Sequence, residues 1–184
     1  MKLLILSDTH LFNDILKNVN DHYLDITDYH IHCGDSSLNK DDVLLKDYNI
    51  VVEGNHDNNQ FPIYSIYNNI LVTHGHKYNI YRYYDDLVNL CHENNCKYCL
   101  FGHTHIPTVD VIDDITFINP GSLMINRGTY GYGTFVVCDY IDQHIYNIQF
   151  INSETLEKAD DFILDEGKEL FKEFRGYEKK MRNS

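Results

Sequence analysis

Nothing in this sequence is long and apolar enough to span a bilayer as a helix, which takes about 20 residues; its apolar runs are a handful of residues each. Positive charge is also scarce. Fifteen Lys and Arg stand against 28 Asp and Glu, giving a formal net charge of −13. Proteins that grip long nucleic acid present a basic face. The one basic run here is the tail Glu178-Lys179-Lys180-Met181-Arg182. Neither a membrane nor long nucleic acid is therefore expected as a partner. An export signal is not expected either. The opening Met1-Lys2-Leu3-Leu4-Ile5-Leu6 is short and runs into Ser7-Asp8-Thr9-His10 rather than a small-residue cleavage site. It reads as a first buried strand, and the expected location is the cytoplasm. The five cysteines, an odd count, then read as reduced thiols. Cys96-Lys97-Tyr98-Cys99 has no second pair and no helix start after it, so Cys99 reads as a small apolar strand residue. Internal repeats and low-complexity segments are absent as well.

Strand and helix signals alternate through the first half of the 184 residues, a length that suits one domain. Residues 3–6, 29–33, 50–52, 70–72 and 98–101 are apolar runs of strand length. Leu11, Ile15, Leu16, Val19 and Tyr23 repeat with helical spacing, and Leu87, Leu90 and Cys91 mark a second helix over 84–93. Residues 41–46 are expected to form a short helix. Asn68-Asn69 and Asp113-Asp114 are hairpin turn signals. From 108 onward the pattern is β, in four segments, and residues 165–181 read as an amphipathic helix.

Each apolar run in the first half is followed by a short polar motif. These are Asp8-Thr9-His10, Gly34-Asp35, Gly54-Asn55-His56-Asp57, Thr73-His74-Gly75-His76 and Gly102-His103-Thr104-His105. Residues at strand ends converge on one edge of an open sheet. Carboxylates, imidazoles and one amide oxygen are donors that Mn²⁺, Fe and Zn²⁺ accept. Two such ions, about 3.5–4 Å apart, clamp a phosphoryl group and generate a nucleophile at neutral pH. No serine or cysteine nucleophile stands in the motifs.

The order of these motifs resembles the calcineurin-like metallophosphoesterase superfamily. Their spacing, with Asn119-Pro120-Gly121-Ser122, resembles its compact branch of small bacterial and archaeal phosphodiesterases. The resemblance implies an α/β four-layer αββα sandwich of two mixed β-sheets flanked by helices. Residues 1–151 would be the metallophosphoesterase domain. Residues 152–184 would be a helical extension packed on it or on a partner subunit, with a homo-oligomer as one outcome. It implies two divalent ions, Mn²⁺ first, with Zn²⁺, Fe²⁺ or Ni²⁺ as alternatives. Asp8, His10 and His105 would hold one, Asn55, His74 and His103 the other, and Asp35 would bridge them. A metal-bridging hydroxide would attack a small phosphodiester in line. His56, next to a ligand, is the expected acid for the leaving oxygen, with Asp57 orienting its ring or capping the loop. His76, Asn119 and Ser122 are expected to meet substrate, with a place behind the metal ligands open for His76 and a hydrogen bond to a ligand open for Ser122. Arg127 is expected to make a solvent-facing salt bridge, with a phosphate contact as the other use. His30 and His32 read as core or supporting residues. Two other readings remain: a phosphomonoesterase acting on phosphoprotein or dinucleoside polyphosphate, and an interaction scaffold similar to the retromer subunit of this fold.

Overall fold

The computed structural model describes residues 1–182, with side chains described through Phe174. The basic tail run lies outside the residues whose side chains are described. The chain order is β1 (Lys2–Leu6), α1 (Asn13–Tyr23), β2 (Tyr29–His32), β3 (Ile50–Val51), β4 (Tyr64–Tyr67), β5 (Ile70–Thr73) and α2 (Asp85–Glu93). There follow β6 (Tyr98–Leu100), β7 (Thr108–Ile112), β8 (Ile115–Asn119), β9 (Thr134–Ile141), β10 (His144–Asn152) and α3 (Ile163–Arg182). One five-stranded sheet runs β10-β9-β1-β2-β3, the other β4-β5-β6-β8-β7. Both are mixed. β1, β2 and β3 are parallel, as are β5, β6 and β8, while β9, β10, β4 and β7 pair antiparallel.

Side-chain parity decides the layering, because successive residues of a strand face opposite sides. Leu3 and Ile5 of β1 enter the core between the sheets with Ile31, Val72, Leu100, Ile118 and Val136. Leu4 and Leu6 face the other way and meet Leu16 and Val19 of α1. On the second sheet, Leu71, Cys99, Phe101 and Phe117 meet Leu87 and Cys91 of α2. Three apolar interfaces thus separate four layers. Burying each such Leu or Phe contributes about 1.5–3 kcal/mol. All five cysteines are free and buried. No helix among the described residues is long and apolar enough to cross a membrane.

Residues 41–46 differ from expectation. They form successive turns, with Leu45 N–H donating to Asp42 O and Tyr48 N–H to Leu45 O. The Asp42 carboxylate accepts the Leu44 N–H at 2.9 Å, a local bond that competes with helix formation. α3 begins by burying Ile163 and Phe171. The Tyr130 hydroxyl donates to Ile163 O at 2.8 Å, and Glu166 accepts from the Thr129 N–H at 2.6 Å and hydroxyl at 2.7 Å.

Candidate metal centre

The five motifs leave the ends of β1, β2, β3, β5 and β6 on one edge of the sandwich, and backbone bonds stitch their loops together. Asp8 N–H donates to Gly34 O, Thr9 and His10 N–H to Asp35 O, and Gly102 N–H to His74 O. Five of the expected ligands hold left-handed backbone, with φ of 56° at Asp8, 48° at His10, 55° at Asp35, 67° at His103 and 56° at His105. That region is uncommon for side-chain-bearing residues. Glycine is required where the loops approach the carboxylates. A Cβ on Gly54 would stand 2.1 Å from Asp35 Oδ1, and one on Gly102 would stand 2.0 Å from Ser7 Oγ.

Each buried carboxylate is anchored by one oxygen and presents the other. Asp8 Oδ2 accepts from Ser7 Oγ at 2.6 Å and from the His103 N–H at 3.1 Å. Its Oδ1 faces His105 Nε2 at 3.1 Å and His10 Nε2 at 3.7 Å, with neither aligned as a hydrogen bond. Asp35 Oδ1 accepts the His56 N–H at 2.7 Å. Its Oδ2 lies 3.3 Å from His74 Nε2 and 3.9 Å from His10 Nε2. His74 Nδ1–H donates to Cys33 O at 2.8 Å, which turns Nε2 toward the carboxylates. Asp8 Oδ1 and His74 Nε2 are both buried without a hydrogen-bond partner. Such orphaned atoms are costly unless something else satisfies them. Three groups of donor atoms lie within 4.8 Å of one another: Asp8, His10 and His105; Asp8, Asp35 and His74; and His10, Asp35 and His56.

The local charges match this reading. Burial works against ionisation of Asp8, but His74 and His105 outweigh it and hold its carboxyl below the usual range. Burial alone would lower the His74 pKa, yet Asp8 and Asp35 raise it. His103 is lowered to about 4 by burial and by neighbouring His74, and burial lowers His10 and His76 as well. The carboxylates thus favour a positive charge at their centre, while His10, His76 and His103 are biased toward the neutral imidazole that metal ligation needs.

The other expected site residues divide into two sets. His103 stands beside the centre, its ring 5.2 Å from His74 and 6.3 Å from His76. His76 is partly buried and its Nδ1 has no partner. Asn55 and His56 are exposed at the rim, and the His56 ring meets His10 edge-on at 5.0 Å.

Asp57 does a different job from orienting His56. Its oxygens accept from the backbone N–H groups of Asp35, Ser37 and Gly54 at 2.7–2.9 Å and from Ser36 Oγ at 3.1 Å. Among the described residues none of its bonds reaches the His56 ring. It ties the Asp35 loop to the Gly54 loop. Asn119 and Ser122 are fully buried rather than open to substrate. Asn119 Nδ2 donates to Gly102 O and Thr104 Oγ1, and its Oδ1 accepts the Gly121 N–H. Ser122 Oγ donates to Asp8 O at 3.0 Å. Both brace ligand loops, because a polar side chain buried at this depth bonds to backbone.

Arg127 also departs from expectation. It has no carboxylate partner among the described residues, and its guanidinium lies over the Tyr81 ring at 5.7 Å. His32 braces the loops, with Nε2 2.8 Å from Thr9 Oγ1 and Nδ1 accepting the Gly34 N–H. Sequence reasoning missed Ser7, whose position before Asp8 was a usable signal, and Tyr81, which no motif marks.

The match to known proteins agrees with this geometry. Residues 1–143 match the calcineurin-like phosphoesterase superfamily domain. The chain belongs to that superfamily. It is 32% identical over 153 residues to a probable metallophosphoesterase of Mycoplasma genitalium, covering 74% of this chain and 88% of that protein. Among solved structures it is similar to a predicted phosphoesterase of Streptococcus pneumoniae, with TM-score 0.79, 28% identity, and 87% of this chain and 93% of that one covered. An archaeal phosphodiesterase shares the fold at TM-score 0.61 and 21% identity, covering 83% of this chain and 99% of that one. As a member of the superfamily, the chain is a metal-dependent phosphoesterase.

Proposed function

We propose that this phosphoesterase carries two divalent ions and hydrolyses small phosphodiesters. The observation that carries the reading is the pair of orphaned buried atoms, Asp8 Oδ1 and His74 Nε2, set among anchored carboxylates and imidazoles. Asp8, His10 and His105 would hold one ion, Asn55, His74 and His103 the other, and Asp35 both. The mixed nitrogen and oxygen donors suit Mn²⁺, with Zn²⁺, Fe²⁺ and Ni²⁺ as competitors. When bound, such ions polarise phosphoryl oxygens and lower the pKa of water.

The chain's own residues supply the rest. Asp57, Asn119, Ser122 and His32 fix the loops, so the donors need little rearrangement. His56, exposed beside His10, would give a proton to the leaving oxygen. A phosphodiester carries one negative charge where a monoester carries up to two, so a protein of net charge −13 repels it less. The archaeal phosphodiesterase of the same fold is in keeping with this choice. The complete donor set speaks against a scaffold that has no use for metal. Five free buried thiols fit a reducing compartment such as the cytoplasm.

The test joins metal analysis to two substrates. Protein loaded with Mn²⁺ is expected to approach two ions per chain and to cleave bis-p-nitrophenyl phosphate faster than p-nitrophenyl phosphate. A reversed preference at matched concentrations moves the assignment to phosphomonoesterase. One ion per chain, with full activity, removes the two-ion reading.

A further inference from the structure

Arg127 lies beside the metal centre without belonging to it. Its backbone N–H donates to His105 O at 2.8 Å. Its guanidinium rests on the Tyr81 ring, 5.7 Å from the centroid. Tyr81 in turn donates its hydroxyl to His103 O at 3.1 Å and meets the His103 ring edge-on at 5.3 Å. Phe174 of α3 packs edge-on against the Tyr81 ring at 5.9 Å. Tyr81 and Arg127 therefore bind the backbone of both histidines in the last motif, and α3 supports the pair.

The guanidinium is exposed, yet it pairs with no carboxylate among the described residues, Asp8 and Asp35 included. In a chain with 28 acidic residues and only 15 Lys and Arg, an arginine held off its own carboxylates is open to an outside anion. The ring beneath it keeps it in place, since cation–π contact and guanidinium stacking reduce its freedom. Its anchors are the His105 backbone and the Tyr81 ring rather than Asp8 or Asp35, so the guanidinium flanks the donor set instead of sitting within it. Its planar fork suits two oxygens of one phosphate.

We propose that Arg127, seated on Tyr81, binds a second, non-scissile phosphate, so that the preferred substrate is a phosphodiester carrying an additional phosphate group. The inference rests on the phosphodiesterase reading above. Arg127 sets specificity, and Tyr81 is a positioning residue.

The experiment compares the thymidine dinucleotide without terminal phosphates with the same dinucleotide phosphorylated at either end. Cleavage of the internal diester by the Mn²⁺-loaded full chain is followed by product analysis. The wild type is expected to prefer one phosphorylated form through a lower KM. Arg127→Ala should lower the ratio of the two kcat/KM values by about tenfold, the scale of one charge-assisted contact. Tyr81→Ala should lower it similarly. Tyr81→Phe should keep most of it, because the ring face remains. Metal content should match the wild type in Arg127→Ala; in the Tyr81 variants, which lose the bond to His103 O, the ratio is read within each protein, so a change in metal content does not alter it.

Equal loss on both dinucleotides would place Arg127 on the reacting phosphoryl and overturn the proposal. So would a wild type that cleaves all three dinucleotides alike, while leaving the phosphodiesterase reading intact. A loaded wild type that cleaves no diester at all removes that reading and this one together.

Discussion

The two edges of the sandwich use the same unusual backbone for different ends. At the edge away from the metal centre, left-handed residues form the turns entering β5, β6, β8 and β10. They are Asn68, Asn95, Asp113, Asp114, Asp142 and Gln143, with φ between 49° and 63°. All but Gln143 are Asn or Asp, the residues that tolerate this region best. At the metal edge the same conformation falls on Asp8, His10, Leu11, Asp35, Ser37, His103 and His105. Here the residue types are those that bind metal, apart from Leu11 and Ser37. The far edge chose residues to suit the turn. The near edge keeps a strained turn to suit the side chain, a pattern seen where geometry serves function.

Removing a donor from the near edge should break this contrast most strongly. Asp35 presents Oδ2 to His74 and His10, so Asp35→Ala is expected to lose most of both ions. In wild-type protein, Mn²⁺ should raise the melting temperature, since a ligand that binds only the folded state stabilises it. In Asp35→Ala that rise should nearly vanish, while Asn68→Ala at the far edge should keep it. Metal analysis and thermal melts read both effects. An Asp35→Ala protein that still holds two ions would overturn the bridging role.

The next effect in size belongs to the exposed rim. If His56 protonates the leaving group, its value grows with the basicity of that group. His56→Ala should slow alkyl or nucleoside esters by about 10²–10⁴-fold and p-nitrophenyl esters much less. Comparable losses on both would assign it to charge stabilisation or positioning. Its ring nitrogen shares a donor group with His10 and Asp35, so metal content decides a further point. Loss of an ion in the variant would make His56 a ligand and would redraw the set.

Much of this architecture was legible because it follows from periodicity and spacing. The run Leu3-Leu4-Ile5-Leu6 reads as a strand buried on both faces, and its alternate residues do enter two different cores. The donors were legible because motifs at strand ends must meet on an edge. Which way a polar neighbour points was not. Asp57 and His56 are adjacent, yet one is bonded to three backbone N–H groups and the other is exposed. Asn119 and Ser122 stand near the site in sequence terms, but both face inward as braces. Tyr81 was invisible because its role depends on Arg127 and on α3, which are brought to it only by folding. The turns over 41–46 were missed because one Asx bond, Leu44 N–H to Asp42, outcompetes weak helical periodicity.

The smallest effect sharpens the contrast between the edges. Leu11 is the apolar residue of the near-edge set, and at 59% exposure its side chain buries little. Its φ of 66° is unfavourable for a leucine. Left-handed backbone costs a side-chain-bearing residue roughly 1–2 kcal/mol. Glycine removes that penalty but loses about 0.5–1 kcal/mol through the greater freedom of its unfolded chain. Leu11→Gly should therefore stabilise the protein by up to about 1 kcal/mol, or about 2–4 °C in melting temperature at this chain length. Asn68, at φ of 52°, already suits its turn, so Asn68→Gly relieves little strain and should not stabilise the protein. Thermal melts of the two variants, both metal-free, make the comparison. If Leu11→Gly is stabilised while its activity falls, the strain at the near edge is held in place for the geometry of His10. If Leu11→Gly is instead less stable than Asn68→Gly, the leucine's own contacts outweigh its backbone, and the proposed difference between the edges fails at this position.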